Sequence, residues 1–86
     1  VLSAASTYSK YNIRVNAIAP GLVDTPLTSR ITNNQISLDY SKDLHGLKRI
    51  GKPQNFIPIV NSLIDSRSDW VTGQTFFIDG GLSNVK

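Results

Sequence analysis

The chain has 86 residues, 40% hydrophobic and 17% charged, which allows one small domain and no more. Its formal charge of +3 comes from nine Lys and Arg against six acidic residues, all Asp, and only Lys48-Arg49 and nearby Lys52 cluster, which is too weak a footprint for a nucleic-acid binder. With no cysteine there is neither a disulfide staple nor a CxxC metal site, and no apolar run reaches the ~18 residues of a membrane span.

A domain of this size buries only about 60 to 65% of the surface its unfolded chain exposes, so stability must come from packing, a partner included. The N-terminus lacks a charged region followed by an apolar one, and the absence of cysteine suits a reducing compartment. The chain reads as soluble and cytoplasmic.

Val1 to Tyr11 is compatible with a helix, with Ala4, Tyr8 and Tyr11 on one face. No Met or capping residue precedes it, so the chain is expected to begin partway through a helix. Asn12 can end that helix. Ile13 to Ala19 then reads as a short buried strand, cut off by Pro20-Gly21. In open parallel sheets ligands lie beyond the carboxyl ends of the strands, so Gly21 to Pro26 is the first place to look for chemistry. Its composition suits a backbone-lined pocket wall.

From Pro26 to Asp43 the sequence is polar with sparse apolar residues, which predicts a lid with a helical middle. Leu44 to Lys52 reads as a loop, and Pro53 suits the first turn of a helix. Phe56, Ile57, Val60, Leu63 and Ile64 make one apolar helical stripe. Pro58 inside it should cost about 3 kcal/mol in a straight helix, so a kink or a late helix start is expected. The helix should end near Asp65. Ser66 to Asp69 is loop, Trp70 to Gly73 leads into a second strand over Gln74 to Ile78, and Asp79-Gly80-Gly81 stops it. Leu82 to Lys86 is a short tail.

The order helix, strand, helical lid, helix, strand joins two strands by a helical crossover, which makes them parallel. Two strands cannot form a sheet buried on both faces, as parallel sheets ordinarily are. The remaining strands are expected outside this chain.

Three motifs then coincide: Asn12 to Gly21 (NIRVNAIAPG), Gly51-Lys52-Pro53 opening a helix, and Val71-Thr72-Gly73-Gln74 with Ile78-Asp79-Gly80-Gly81. Their order and spacing resemble the carboxy-terminal third of the short-chain dehydrogenase/reductase family. The resemblance implies an α/β fold, the C-terminal fragment of a Rossmann-type doubly wound parallel sheet, with residues 1–86 forming a single partial domain. It implies hydride transfer between NAD or NADP and a small-molecule carbonyl or alcohol substrate. It also implies that Pro20 and Gly21 pass beside the nicotinamide and that the Val23 backbone and Thr25 hydroxyl bind its carboxamide. Residues 26–43 would be the substrate lid, and the last strand and the helix before it a homo-oligomer interface.

The departures from the family matter as much. No GxGxxG or GxxxGxG phosphate loop occurs among the six glycines, and no YxxxK pair is present. Tyr8-Ser9-Lys10 has the wrong spacing and reads as an aromatic packed on the helix and a solvated Lys near its C-terminus. No catalytic residue is therefore assigned, and the isolated chain is expected to be inactive. The alternative is a noncatalytic oligomerisation module.

The remaining polar residues have plainer readings. Thr25 could simply cap the following turn, and Asp24 and Asp79 read as turn residues. Asn16 is expected to hydrogen-bond a neighbouring loop backbone. Arg14 is expected to pack its stem along the sheet edge. His45, with no second His and no Cys, reads as neither base nor metal ligand. Trp70, Phe76 and Phe77 read as core or interface packing.

Overall fold

A computed structural model describes residues 1–84; Val85 and Lys86, the end of the expected tail, lie outside the described residues. The α-helices are α1 (Leu2–Tyr8), α2 (Ser29–Thr32), α3 (Gln35–Leu44) and α4 (Ile57–Ile64), and the strands are β1 (Ala17–Pro20) and β2 (Thr75–Ile78). Single 3₁₀ turns lie between them, and one at Leu82–Asn84 takes up the start of the expected tail.

α1 runs through a 3₁₀ turn and stops at Asn12, which takes the left-handed conformation (φ 61, ψ 32) and donates its N–H to the Ser9 carbonyl at 2.9 Å. Asn tolerates this geometry better than most residues, so it ends the helix as expected.

The strand that follows is shorter than the sequence predicts and shifted: it begins at Ala17, not Ile13, and includes Pro20. The reason lies in what holds residues 14–16. Arg14 donates to the Val71 carbonyl (3.1 Å) and the Leu63 carbonyl (2.6 Å). The Val15 N–H donates to the Thr72 hydroxyl (3.1 Å), and Asn16 donates to the Val71 carbonyl while accepting from the Gln74 N–H, both at 3.1 Å. Ahead of the register at Ala17↔Thr75, one backbone bond, from the Gly73 N–H to the Val15 carbonyl (2.8 Å), is supplemented by these side chains in place of a regular ladder. From there β1 and β2 pair in parallel to Pro20↔Ile78, the parallel arrangement the crossover requires.

Pro26–Thr28 and Pro53–Phe56 form 3₁₀ turns. The expected lid is helical almost throughout, and α3 runs to Leu44, its start capped by Asn34 accepting from the Ser37 N–H at 3.1 Å. Pro53 opens its turn, and α4 starts late, at Ile57, so that Pro58 falls in its first turn where no helical hydrogen bond is lost. α4 ends at Ile64 with Asp65 extended. After β2, Gly80 and Gly81 both take positive φ (57 and 89), which makes the sharp stop possible.

Very little is enclosed. Ala5 and His45 are the only buried residues among the described ones. Trp70 and Leu27 are each 95% exposed, so Trp70 does not pack into a core of this chain. The accessible surface is 6484 Å² for 9.4 kDa, against about 5,000 Å² expected of a folded monomer of that mass. The radius of gyration is 15.7 Å, where a compact domain of this length has about 12 Å. The chain is elongated, with extents of 49 × 25 × 19 Å.

Candidate functional site

The site grows from the carboxyl end of β1. Gly21 continues the ladder by donating its N–H to the Ile78 carbonyl at 3.2 Å. Beyond it the chain is clamped by the loop at Gly51, in an isolated parallel bridge to Val23. The Gly51 N–H donates to the Leu22 carbonyl (2.8 Å), and the Asp24 N–H donates to the Gly51 carbonyl (2.9 Å). Because Leu22 and Asp24 face Gly51, the N–H and C=O of Val23 face the opposite side. Its carbonyl accepts from the Thr28 hydroxyl at 2.6 Å. The Thr25 N–H donates to the same hydroxyl (3.0 Å), which leaves the Thr25 hydroxyl only a 3.4 Å contact with it.

On that side lies an open apolar groove of about 400 Å³, lined by Ile18, Pro20, Val23, Thr25, Pro53 and Phe56. Three of the four residues predicted for the site, Pro20, Val23 and Thr25, come together there. Gly21 does not line it: a Cβ at Gly21 would stand 2.8 Å from His45 Nε2 and 3.1 Å from Asp79 Cβ, so its bare side faces inward. The groove can take a flat apolar ring on Pro20, Pro53 and Phe56, with the Val23 backbone and the Thr25 hydroxyl at one edge. Thr25 stands at the start of the Pro26 turn, where the Thr28 hydroxyl accepts from the Thr25 N–H rather than the Thr25 hydroxyl from the turn.

His45 is the residue whose placement the sequence does not reveal. It is 3% exposed and sits at the end of α3, with Nδ1 2.6 Å from the Ser41 carbonyl and Nε2 3.1 Å from the Leu22 nitrogen. Its place in a Gly-containing loop is the one signal in the sequence, and it is too general to single the residue out. Lys10 is exposed, as its plain reading requires, and lies over the Tyr11 ring, 5.2 Å from its centroid, whereas Tyr8 is 46% exposed and not the packed aromatic expected.

The carboxylates serve turns. Asp79 accepts from the N–H groups of Gly81 (3.0 Å) and Ser83 (3.1 Å), and hydrogen bonding from Ser83, its hydroxyl foremost, holds the carboxyl below its ordinary value. Asp65 is likewise lowered by the Arg67 guanidinium, which pairs with it at 2.7 Å on the surface. Among the described residues no group of three or more His, Cys, Asp or Glu could hold a metal ion. No described helix is long and apolar enough to cross a membrane.

Comparison with known proteins places this geometry. The family model described as Enoyl-(Acyl carrier protein) reductase matches residues 1–83. The chain is 37% identical over 86 residues to the 3-oxoacyl-(acyl-carrier-protein) reductase FabG of Thermotoga maritima, covering 95% of this chain and 34% of that protein. The structure of a 4-hydroxyisoleucine dehydrogenase complexed with NADH superposes with a TM-score of 0.91 at 34% identity, over 98% of this chain and 35% of the other. That of a gluconate 5-dehydrogenase from Burkholderia cenocepacia, in complex with NADP and tartrate, gives 0.92 at 27% identity, over 98% and 33%. The chain thus spans about a third of the length of the relatives it matches. Its parallel α/β sheet and its match to the family model over 1–83 make this chain a member of the short-chain dehydrogenase/reductase family.

Proposed function

We propose that the chain is the carboxy-terminal portion, a single partial domain over residues 1–86, of a cytoplasmic oxidoreductase that moves a hydride between NAD or NADP and a small carbonyl or alcohol. The groove at the end of β1 carries this reading: it joins Pro20, Val23 and Thr25 and turns the Val23 N–H away from Gly51. These residues fit a nicotinamide. Pro20, with Gly21 behind it, gives a rigid backbone wall, and the Val23 N–H and Thr25 hydroxyl suit the two ends of a carboxamide. The bound nicotinamide would supply or accept the hydride; the residues here orient one ring face and exclude water. Residues 26–43 act as the substrate lid.

The NADH- and NADP-bound relatives support the choice of cofactor. The chain itself contributes no YxxxK pair and no phosphate loop. The purified 86-residue chain is therefore expected to leave NADH and NADPH unoxidised with any carbonyl substrate, and measurable turnover would overturn this. Grafted in place of the matching third of the Thermotoga reductase, it should support reduction. Thr25→Val in the graft should then raise the cofactor KM about five- to tenfold, the worth of one hydrogen bond. A folded graft whose KM ignores Thr25 contradicts the assignment.

One observation favours a second reading, a noncatalytic oligomerisation module: Ile64 (72%), Trp70 (95%) and Phe77 (61%) are exposed around α4 and β2. In the first reading these same residues form the homo-oligomer surface of a complete enzyme. Sedimentation of the chain decides the second, because a stable monomer removes it.

A further inference from the structure

His45 is the one buried polar side chain among the described residues, and both ring nitrogens are engaged in opposite senses. The Ser41 carbonyl can only accept, so Nδ1, 2.6 Å away, carries the proton. The Leu22 N–H can only donate, so Nε2, at 3.1 Å, offers its lone pair. The contacts thus select the neutral Nδ1–H tautomer. One end of the ring holds the last turn of α3, and the other holds the chain just ahead of Val23 and Thr25. Gly21 makes room, since any Cβ there would stand 2.8 Å from Nε2. The next peptide is held from the same side, where the Leu22 carbonyl accepts from Gly51.

We propose that His45 is a positioning residue for the nicotinamide. It fixes the Gly21–Leu22 peptide against the end of the lid helix, so that the lid and the Val23 N–H are set as one unit. His45 touches no cofactor and acts through Leu22. The inference rests on reading that turn as the nicotinamide wall. It goes further in tying the orientation of the wall to the lid through one imidazole.

The test uses the full 86-residue chain. His45 is the only histidine, so ¹⁵N-histidine labelling gives a single pair of ring signals. The expected result is a protonated Nδ1 and a bare Nε2; the opposite tautomer overturns the proposal. His45→Asn keeps a side-chain N–H for Ser41 but offers Leu22 no acceptor, whereas His45→Gln does the reverse. Amide hydrogen exchange at Leu22 should speed up about tenfold in His45→Asn and stay near wild type in His45→Gln. In the Thermotoga graft, where the phosphate loop is supplied, NADH should slow exchange at Val23 and Thr25 in the wild type and in His45→Gln, and not in His45→Asn. An equal NADH response in wild type and His45→Asn overturns the role given to His45. No response in the wild type instead removes the cofactor reading of the turn and the positioning role with it, while the tautomer and Leu22 exchange still decide the clamp. If His45→Asn also loses protection across α4, His45→Gln decides alone: retained Leu22 protection supports the proposal and lost protection overturns it.

Discussion

Lys48 sits at φ 58, a left-handed conformation that costs a residue with a Cβ about 1–2 kcal/mol. Its ammonium donates to the Asp43 carbonyl (2.6 Å) and carboxylate (3.2 Å), but the two side chains are 60% and 81% exposed, so the ion pair returns little. Lys48→Gly should therefore raise the urea midpoint, by about 0.5–1 kcal/mol of stability after the extra chain entropy of glycine is subtracted. A lower midpoint would show that the Asp43 contacts outweigh the strain. Asp79 makes a prediction of opposite origin. Hydrogen bonding from Ser83 lowers its folded value below the ordinary 3.8, so the stability it contributes is complete above that value and is lost as pH falls through the lower folded one. Carboxyl chemical-shift titration should give Asp79 a midpoint under 3.8; an ordinary or raised midpoint contradicts the capping role. Neither the strain at Lys48 nor the burial of His45 is legible in the sequence. Lysine carries no local signal for positive φ, and a lone histidine is buried only because Gly21, Leu22 and Ser41 converge on it in space.

At the scale of elements, punctuation was readable where the residue itself decides the backbone. Asn12 ends α1, Pro53 opens a turn, Pro58 delays α4, and the Gly80-Gly81 pair ends β2. The start of β1 was not readable. The apolar run from Ile13 suggests a strand, but pairing there depends on a distant loop and combines one Val15–Gly73 backbone bond with the side chains of Arg14, Thr72 and Asn16. Asn16 serves both partners of that joint, so Asn16→Ala should remove both bonds and cost about 0.5–1.5 kcal/mol, because Gln74 is exposed and its N–H can turn to water. Faster amide exchange at Ala17 and Gln74 would register it, and unchanged exchange would show that the ladder holds without the joint. Pro58→Ala should be nearly silent, within about 0.5 kcal/mol, because the ring occupies a first-turn position that lacks a helical partner. A gain near 3 kcal/mol would mean that the proline interrupts the helix after all.

For the whole molecule, area is the deciding quantity. The accessible surface exceeds the size-scaled expectation by about 1,500 Å², close to twice what one partner buries in a standard protein interface. Both faces and both outer edges of the β1–β2 pair lack further strands among the described residues. Parallel strands are ordinarily covered on both faces. The family fold was legible because three motifs keep their order over most of the chain, and the candidate site was legible because it is built largely from backbone and a Pro-Gly turn. The most direct test is to sequence the transcript upstream of the Val1 codon. The account predicts an open reading frame in the same phase carrying a YxxxK pair shortly before Val1 and a glycine-rich turn after a strand further upstream. A continuous upstream frame that contains neither motif would contradict it.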